Sequence, residues 1–117
     1  MTLRELQDKV WNQQVTYFQS HETEAPYYFL FRAMAELGEL ANQVNKSVVY
    51  GREVEDTLLY GEFGDVLYFL MLAASQQNFD LQNILKDTIT RVKERAASRE
   101  YGKALKDHCD HDGAYSE

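Results

Sequence analysis

Apolar residues recur along this chain at the three- and four-residue spacing of helices rather than in strand-like alternation. Leu3, Leu6, Val10 and Tyr17, with Trp11 and Phe18 beside them, predict a first helix over about residues 2–20, and Thr2 with Glu5 forms a capping-box pair at its start. His21-Glu22-Thr23-Glu24-Ala25 is a polar break. A second helix is expected from Pro26, with a stripe of Tyr27, Leu30, Met34, Leu37, Ala41 and Val44 that fades near Lys46, and Gly51 falls in the next connection. The third is expected over about residues 53–77. Between 66 and 74 it is apolar on every side, the pattern of a helix buried all round, at the centre of a bundle or in a subunit interface. Asn78-Phe79-Asp80 reads as a turn with Asp80 as N-cap. The fourth helix is expected over about 81–99, with Leu81, Leu85, Ile89, Val92 and Ala96 facing inward. The pattern therefore predicts an all-α, four-helix bundle-like fold, oligomeric because so small a bundle would bury its apolar third helix against another copy. Residues 1–99 form the expected helical domain, and 100–117 a polar, acidic tail, loose from Asp107 onward.

Composition agrees with this outline. Of 117 residues, 44% are hydrophobic and 13% aromatic, which places the chain among folded domains, and a single Pro with 6 Gly leaves little turn punctuation. One cysteine, Cys109, excludes an internal disulfide framework. The N-terminus has no apolar signal-peptide core, and the longest apolar run, 66–74, is far short of the roughly 20 residues a membrane span needs. A cytoplasmic protein without a membrane segment is the expectation. The net charge of −7 argues against nucleic acid as a partner, because phosphate backbones need surplus Lys and Arg. It leaves open a site that meets phosphates through a bound cation.

The acids are not scattered. Glu36-Leu37-Gly38-Glu39-Leu40 and Glu62-Phe63-Gly64-Asp65-Val66 resemble each other, and each sets two carboxylates at i and i+3 on one helix face. Each also spends a glycine in mid-helix, at roughly 0.5–1 kcal/mol relative to Ala, which close approach of a backbone or ligand would explain. At 100° per residue Glu62 falls between Leu58, Val66 and Phe69, inside the apolar stripe, and Glu36 lies at its stripe's edge beside Phe29 and Leu40. Four such carboxylates facing one another would cost several kcal/mol each if buried ionised, unless a cation offsets them. Hard oxygen donors suit Mg²⁺, with Mn²⁺ as a substitute. Di-iron chemistry is disfavoured, since no His stands three residues after a core Glu. The tail run Asp107-His108-Cys109-Asp110-His111-Asp112 fits no structural zinc spacing.

With these residues the chain resembles the MazG-like family of all-α nucleoside triphosphate pyrophosphohydrolases, over about residues 5–99. The family pattern is Glu-Glu-x-x-Glu followed, after a spacer, by Glu-x-x-Asp. Glu36 and Glu39 match the second and third acids of the first segment, Glu62 and Asp65 match the second segment, and Ala35 stands where the family has its first Glu. On the last helix the family's Asn-x-x-Lys-x-x-x-Arg reads here as Thr88, Arg91 and Arg95. Lys46 occupies the place of a basic residue before the Tyr50-Gly51-Arg52 turn. The resemblance implies hydrolysis of a (d)NTP to the monophosphate and pyrophosphate, with Glu36, Glu39, Glu62 and Asp65 as metal-binding and catalytic residues. It also implies Lys46, Thr88, Arg91 and Arg95 on the substrate, and a homodimer or homotetramer. Trp11 is the first candidate for stacking on the base, with Phe18 and Tyr68 behind it, although a Trp at such a position is more often core or interface than a base platform. Two alternatives stand beside this: the same fold acting on phosphoribosyl-ATP or a dUTP-type nucleotide, and a helical interaction module without enzymatic activity.

Overall fold

The computed structural model describes residues 1–18 and 25–109, with side chains through residue 99. It has four helices and, among the described residues, no strand: α1 (Leu3–Phe18), α2 (Tyr28–Tyr50), α3 (Asp56–Gln76) and α4 (Leu81–Cys109). The all-α expectation is met. The polar break at 21–24 lies outside the described residues. So do residues 110–112 of the tail and the side chains of Asp107, His108 and Cys109.

α1 begins with the capping box read from the sequence. The Thr2 N–H donates to Glu5 Oε1 at 2.8 Å, and the Glu5 N–H donates to Thr2 Oγ1 at 3.1 Å. These bonds, the backbone one first, hold the Glu5 carboxyl below its usual range. What the box contributes is therefore present above the ordinary glutamate pKa and lost as pH falls through the depressed one.

α2 starts two residues later than expected. Pro26 sits in a turn, and Tyr27 takes a left-handed conformation (φ 63°) that no helix can run through. No side chain caps this end from within the helix. Instead Gln76 reaches over from α3, accepting from the Phe29 N–H at 3.3 Å and donating to the Ala25 carbonyl at 2.7 Å. At its far end α2 runs past Lys46 to Tyr50, and Gly51 stops it at φ 66°, with its N–H and that of Arg52 both on the Ser47 carbonyl. α4 runs ten residues beyond the expected stop at Arg99. Asp80 caps its start as expected, accepting from the Gln82 N–H at 2.9 Å.

Residues 1–82 form one compact unit, and a second begins at residue 83. In the first unit α3 packs against both α2 and α1. Its core is small: Phe29, Leu72 and Ala73 are buried together, with Val10, Trp11, Tyr28, Tyr68 and Phe69 packed on them. Trp11 meets Phe29 edge-on, with ring centroids 6.1 Å apart. Gln7 is buried at the same end. Its amide donates to Ser75 Oγ (3.0 Å) and the Phe79 carbonyl (2.8 Å), and its oxygen accepts from the Leu81 N–H (2.9 Å).

Two expectations are corrected. α3 is not buried all round within the chain: Leu72, Ala73 and Ala74 are, whereas Leu67 and Leu70 are exposed, because α1 and α2 cover only part of the helix. In the second unit Leu85, Ile89 and Val92 are exposed rather than inward, since a lone helix offers no second surface within its own unit. By length and composition α3 is also apolar enough to cross a membrane, a test that the core helix of a soluble protein passes as well. Counting uninterrupted apolar residues missed this, because Glu62 and Asp65 break the run without lowering the average far enough.

Candidate functional site: an acidic triad beside an aromatic cleft

Adjacent antiparallel helices bring the two acidic segments together. α2 carries Glu36, and α3 carries Glu62 and Asp65 one turn apart. One carboxylate oxygen from each of the three lies within 4.8 Å of the others. Glu36 and Glu62 are half-buried and Asp65 is exposed. Glu39, one turn after Glu36, is exposed and is not among the three. Glu62 Oε2 is fully buried and has no hydrogen-bond partner. A buried carboxylate oxygen without a donor is a costly arrangement that proteins rarely leave uncompensated.

One positive charge is built in. Arg32, one turn before Glu36, donates to Glu36 Oε1 at 3.5 Å and to the Tyr28 hydroxyl at 3.1 Å. Its guanidinium lies over the Phe69 ring, 4.3 Å from the centroid. The Tyr28 bond first, and Glu36 after it, hold Arg32 protonated above its ordinary range.

Asp65 and Arg32 also line a cleft of about 610 Å³, whose other walls are Gln13, Gln14, Tyr17, Phe18, Tyr68 and Phe69. Its floor is ordered: Tyr68 packs edge-on to Phe69 at 5.6 Å, and its hydroxyl donates to the buried Gln14 Oε1 at 3.3 Å. Burial pushes the Tyr68 hydroxyl's pKa up, so it remains a donor at neutral pH. The arrangement is amphipathic. Flat rings and amides line it together with one carboxylate and one guanidinium, the latter stacked on Phe69.

The remaining sequence-derived residues are placed elsewhere or cannot be related to the triad. Trp11 is packed on the core at Phe29 and is not among the cleft's walls, while Phe18 and Tyr68 are. Lys46 lines a separate hollow of about 460 Å³ at the end of α2, with Tyr50, Arg52 and Glu53. Thr88, Arg91 and Arg95 lie on α4 in the second unit. There the Arg91 guanidinium donates to Thr88 Oγ1 at 2.9 Å, so these two share a face as their spacing implied. The glycines have open space around them: a Cβ at Gly38 or Gly64 would meet nothing within 4 Å, so no backbone among the described residues explains them.

Sequence reasoning missed Arg32, Tyr17, Phe69, Gln13 and Gln14. A signal existed for Arg32, which is the one charge in the otherwise apolar stretch 27–35. The glutamines gave none, because Gln in an amphipathic helix reads as surface.

No family model matches the chain, and neither any curated protein nor any solved structure shows significant similarity to it.

Proposed function

We propose that this chain is a divalent-cation-dependent nucleotide pyrophosphohydrolase of MazG type, hydrolysing a (d)NTP to the monophosphate and pyrophosphate. The observation that carries this reading is the orphaned, buried Glu62 Oε2 within a three-carboxylate cluster that adjoins an aromatic cleft. Carboxylate oxygens alone are the donor set of Mg²⁺ or Mn²⁺, so the residues fit the cation that the resemblance implies. Glu36, Glu62 and Asp65 would hold it, with Glu39 one turn away. Bound there, the cation supplies charge neutralisation for phosphate oxygens and lowers the pKa of water.

The chain's own residues do the rest. Tyr17, Phe18, Tyr68 and Phe69 offer ring faces to a planar base, and Gln13 and Gln14 offer amides to its edge. Asp65 lines the cleft and belongs to the triad, so a base seated in the cleft would have its phosphate chain beside the cation that the triad would hold. Lys46, at its own hollow, and Thr88, Arg91 and Arg95, in the second unit, stay proposed phosphate-binding residues on the resemblance alone. The exposed apolar residues Phe63, Leu67 and Leu70 on α3 support burial against a second copy, as a homodimer or homotetramer. Glu62 and Asp65 in mid-helix favour α3 as a bundle helix over a membrane span, and a cytoplasmic protein is the reading retained.

The same exposed α3 face favours one competing reading, a helical interaction module without activity. Pyrophosphate release from a panel of (d)NTPs, dUTP and phosphoribosyl-ATP, measured in millimolar Mg²⁺, separates the two. Activity is expected, and Glu62→Gln should reduce it by about 100-fold or more, since even residues that only support metal ligands cost 10- to 100-fold. A folded Glu62→Gln protein with full activity would remove the metal assignment. No release from any nucleotide, together with a melting temperature unmoved by Mg²⁺ or Mn²⁺, would favour the interaction module.

A further inference from the structure

The triad is one positive charge short of being a purely acidic site. Glu36, Glu62 and Asp65 are three carboxylates. Of the five acids in the family pattern, the first is replaced by Ala35, and Glu39 does not join the cluster. Arg32 is the cation that, among the described residues, ion-pairs with a member of the triad. It is also fastened from two other directions, by the Tyr28 hydroxyl and by the Phe69 ring. A side chain fixed by three different partners is not a solvated charge that happens to pass near an acid. Three negative charges and one fixed positive charge leave a deficit of two, which a single divalent cation balances. A second divalent cation would have to sit near a guanidinium that cannot lose its proton.

We propose that Arg32 is the resident counter-charge of the triad: the site takes one divalent cation, and the Arg32 guanidinium supplies, toward an anionic ligand in the aromatic cleft, the positive charge that a second cation would otherwise bring. Geometry supports the second half. Arg32 lines the cleft as well as touching Glu36, so it stands on the boundary between the place for a ring and the place for the cation. Its bonds to Tyr28 and Glu36 use two of the guanidinium's five N–H donors, which leaves donors for the oxygen atoms of a phosphate. Arg32 is thus a positioning and binding residue that the acid motif alone does not reveal. This role rests on the metal reading proposed above.

The test counts cations. Mn²⁺ binding to the full chain is followed by the loss of the free-ion electron paramagnetic resonance signal, without nucleotide and without turnover. The expected result is one Mn²⁺ per chain. In Arg32→Met, which keeps the stem over Phe69 and removes the charge, the same site should bind Mn²⁺ about fivefold more tightly or better, since a like charge a few ångströms away is gone. Arg32→Lys keeps the charge and should stay near the parent affinity. Two Mn²⁺ per parent chain, or an Arg32→Met affinity equal to the parent's in a protein with an unchanged circular dichroism spectrum, would overturn the proposal and leave the metal reading standing. No Mn²⁺ binding by the parent chain would sink both. The parent stoichiometry needs no variant, so a misfolded Arg32→Met does not blunt the test.

Discussion

The two ends of α3 are built on opposite terms. At its C-terminal end Leu72, Ala73 and Ala74 are buried, and Gln7 and Gln76 tie α1, α2 and the turn into α4 around them. Every polar atom noted there has a partner. Toward its N-terminal end Phe63 and Leu67 are exposed, Gly64 has empty space beside it, and Glu62 holds an oxygen that is buried with nothing to bond. One end spends its residues on cohesion. The other carries unmet polar and apolar valence, which is what a site or an interface looks like before its occupant arrives.

That contrast can be broken at several strengths. The largest effect is expected from Leu72→Ala, which removes a fully buried side chain from the centre of the core. It should cost about 2–5 kcal/mol in chemical denaturation while leaving Mn²⁺ affinity in the surviving folded fraction unchanged. A comparable loss of Mn²⁺ affinity would mean that the two ends are not separable. Next comes Gln7→Met, which keeps the shape but strands the Leu81 N–H, the Ser75 hydroxyl and the Phe79 carbonyl. A loss of about 1–3 kcal/mol is expected, again without effect on the cation. The smallest effect has the opposite sign. Gly64→Ala should raise the stability of the isolated chain by about 0.5–1 kcal/mol, because the added methyl meets only open space. If instead it lowers stability, or weakens nucleotide or self-association without unfolding the chain, something approaches that helix face from outside. Either outcome assigns the glycine.

What could be read from the sequence follows the same division. Helix number, the capping box at Thr2 and Glu5, and the cap at Asp80 were legible, because they depend on local chemistry and hydrophobic period. The i, i+3 acids at Glu62 and Asp65 were legible for the same reason, and their meeting with Glu36 follows once two neighbouring helices run antiparallel. The start of α2 was not. Tyr27 adopts positive φ, and the helix is capped at Phe29 by Gln76 from 47 residues further on in the chain, a dependence that no local signal carries. Arg32 was passed over because a lone charge in an apolar stretch reads as an interruption until Phe69 is seen beneath it. The cover expected for α3 is not supplied within this chain, because hydrophobic composition states how much surface wants cover, and says nothing of where the cover comes from.

Gln7 has a consequence for the order of events in time. Its three hydrogen bonds reach from the second turn of α1 to the end of α3 and the first residue of α4, across 68 to 74 positions of chain. α1 therefore cannot lift away without also unpinning the first amide of α4. A fluctuation at the N-terminus and a loosening of the turn that leads into α4 become one opening event, so the shortest of the four helices guards the far end of α3.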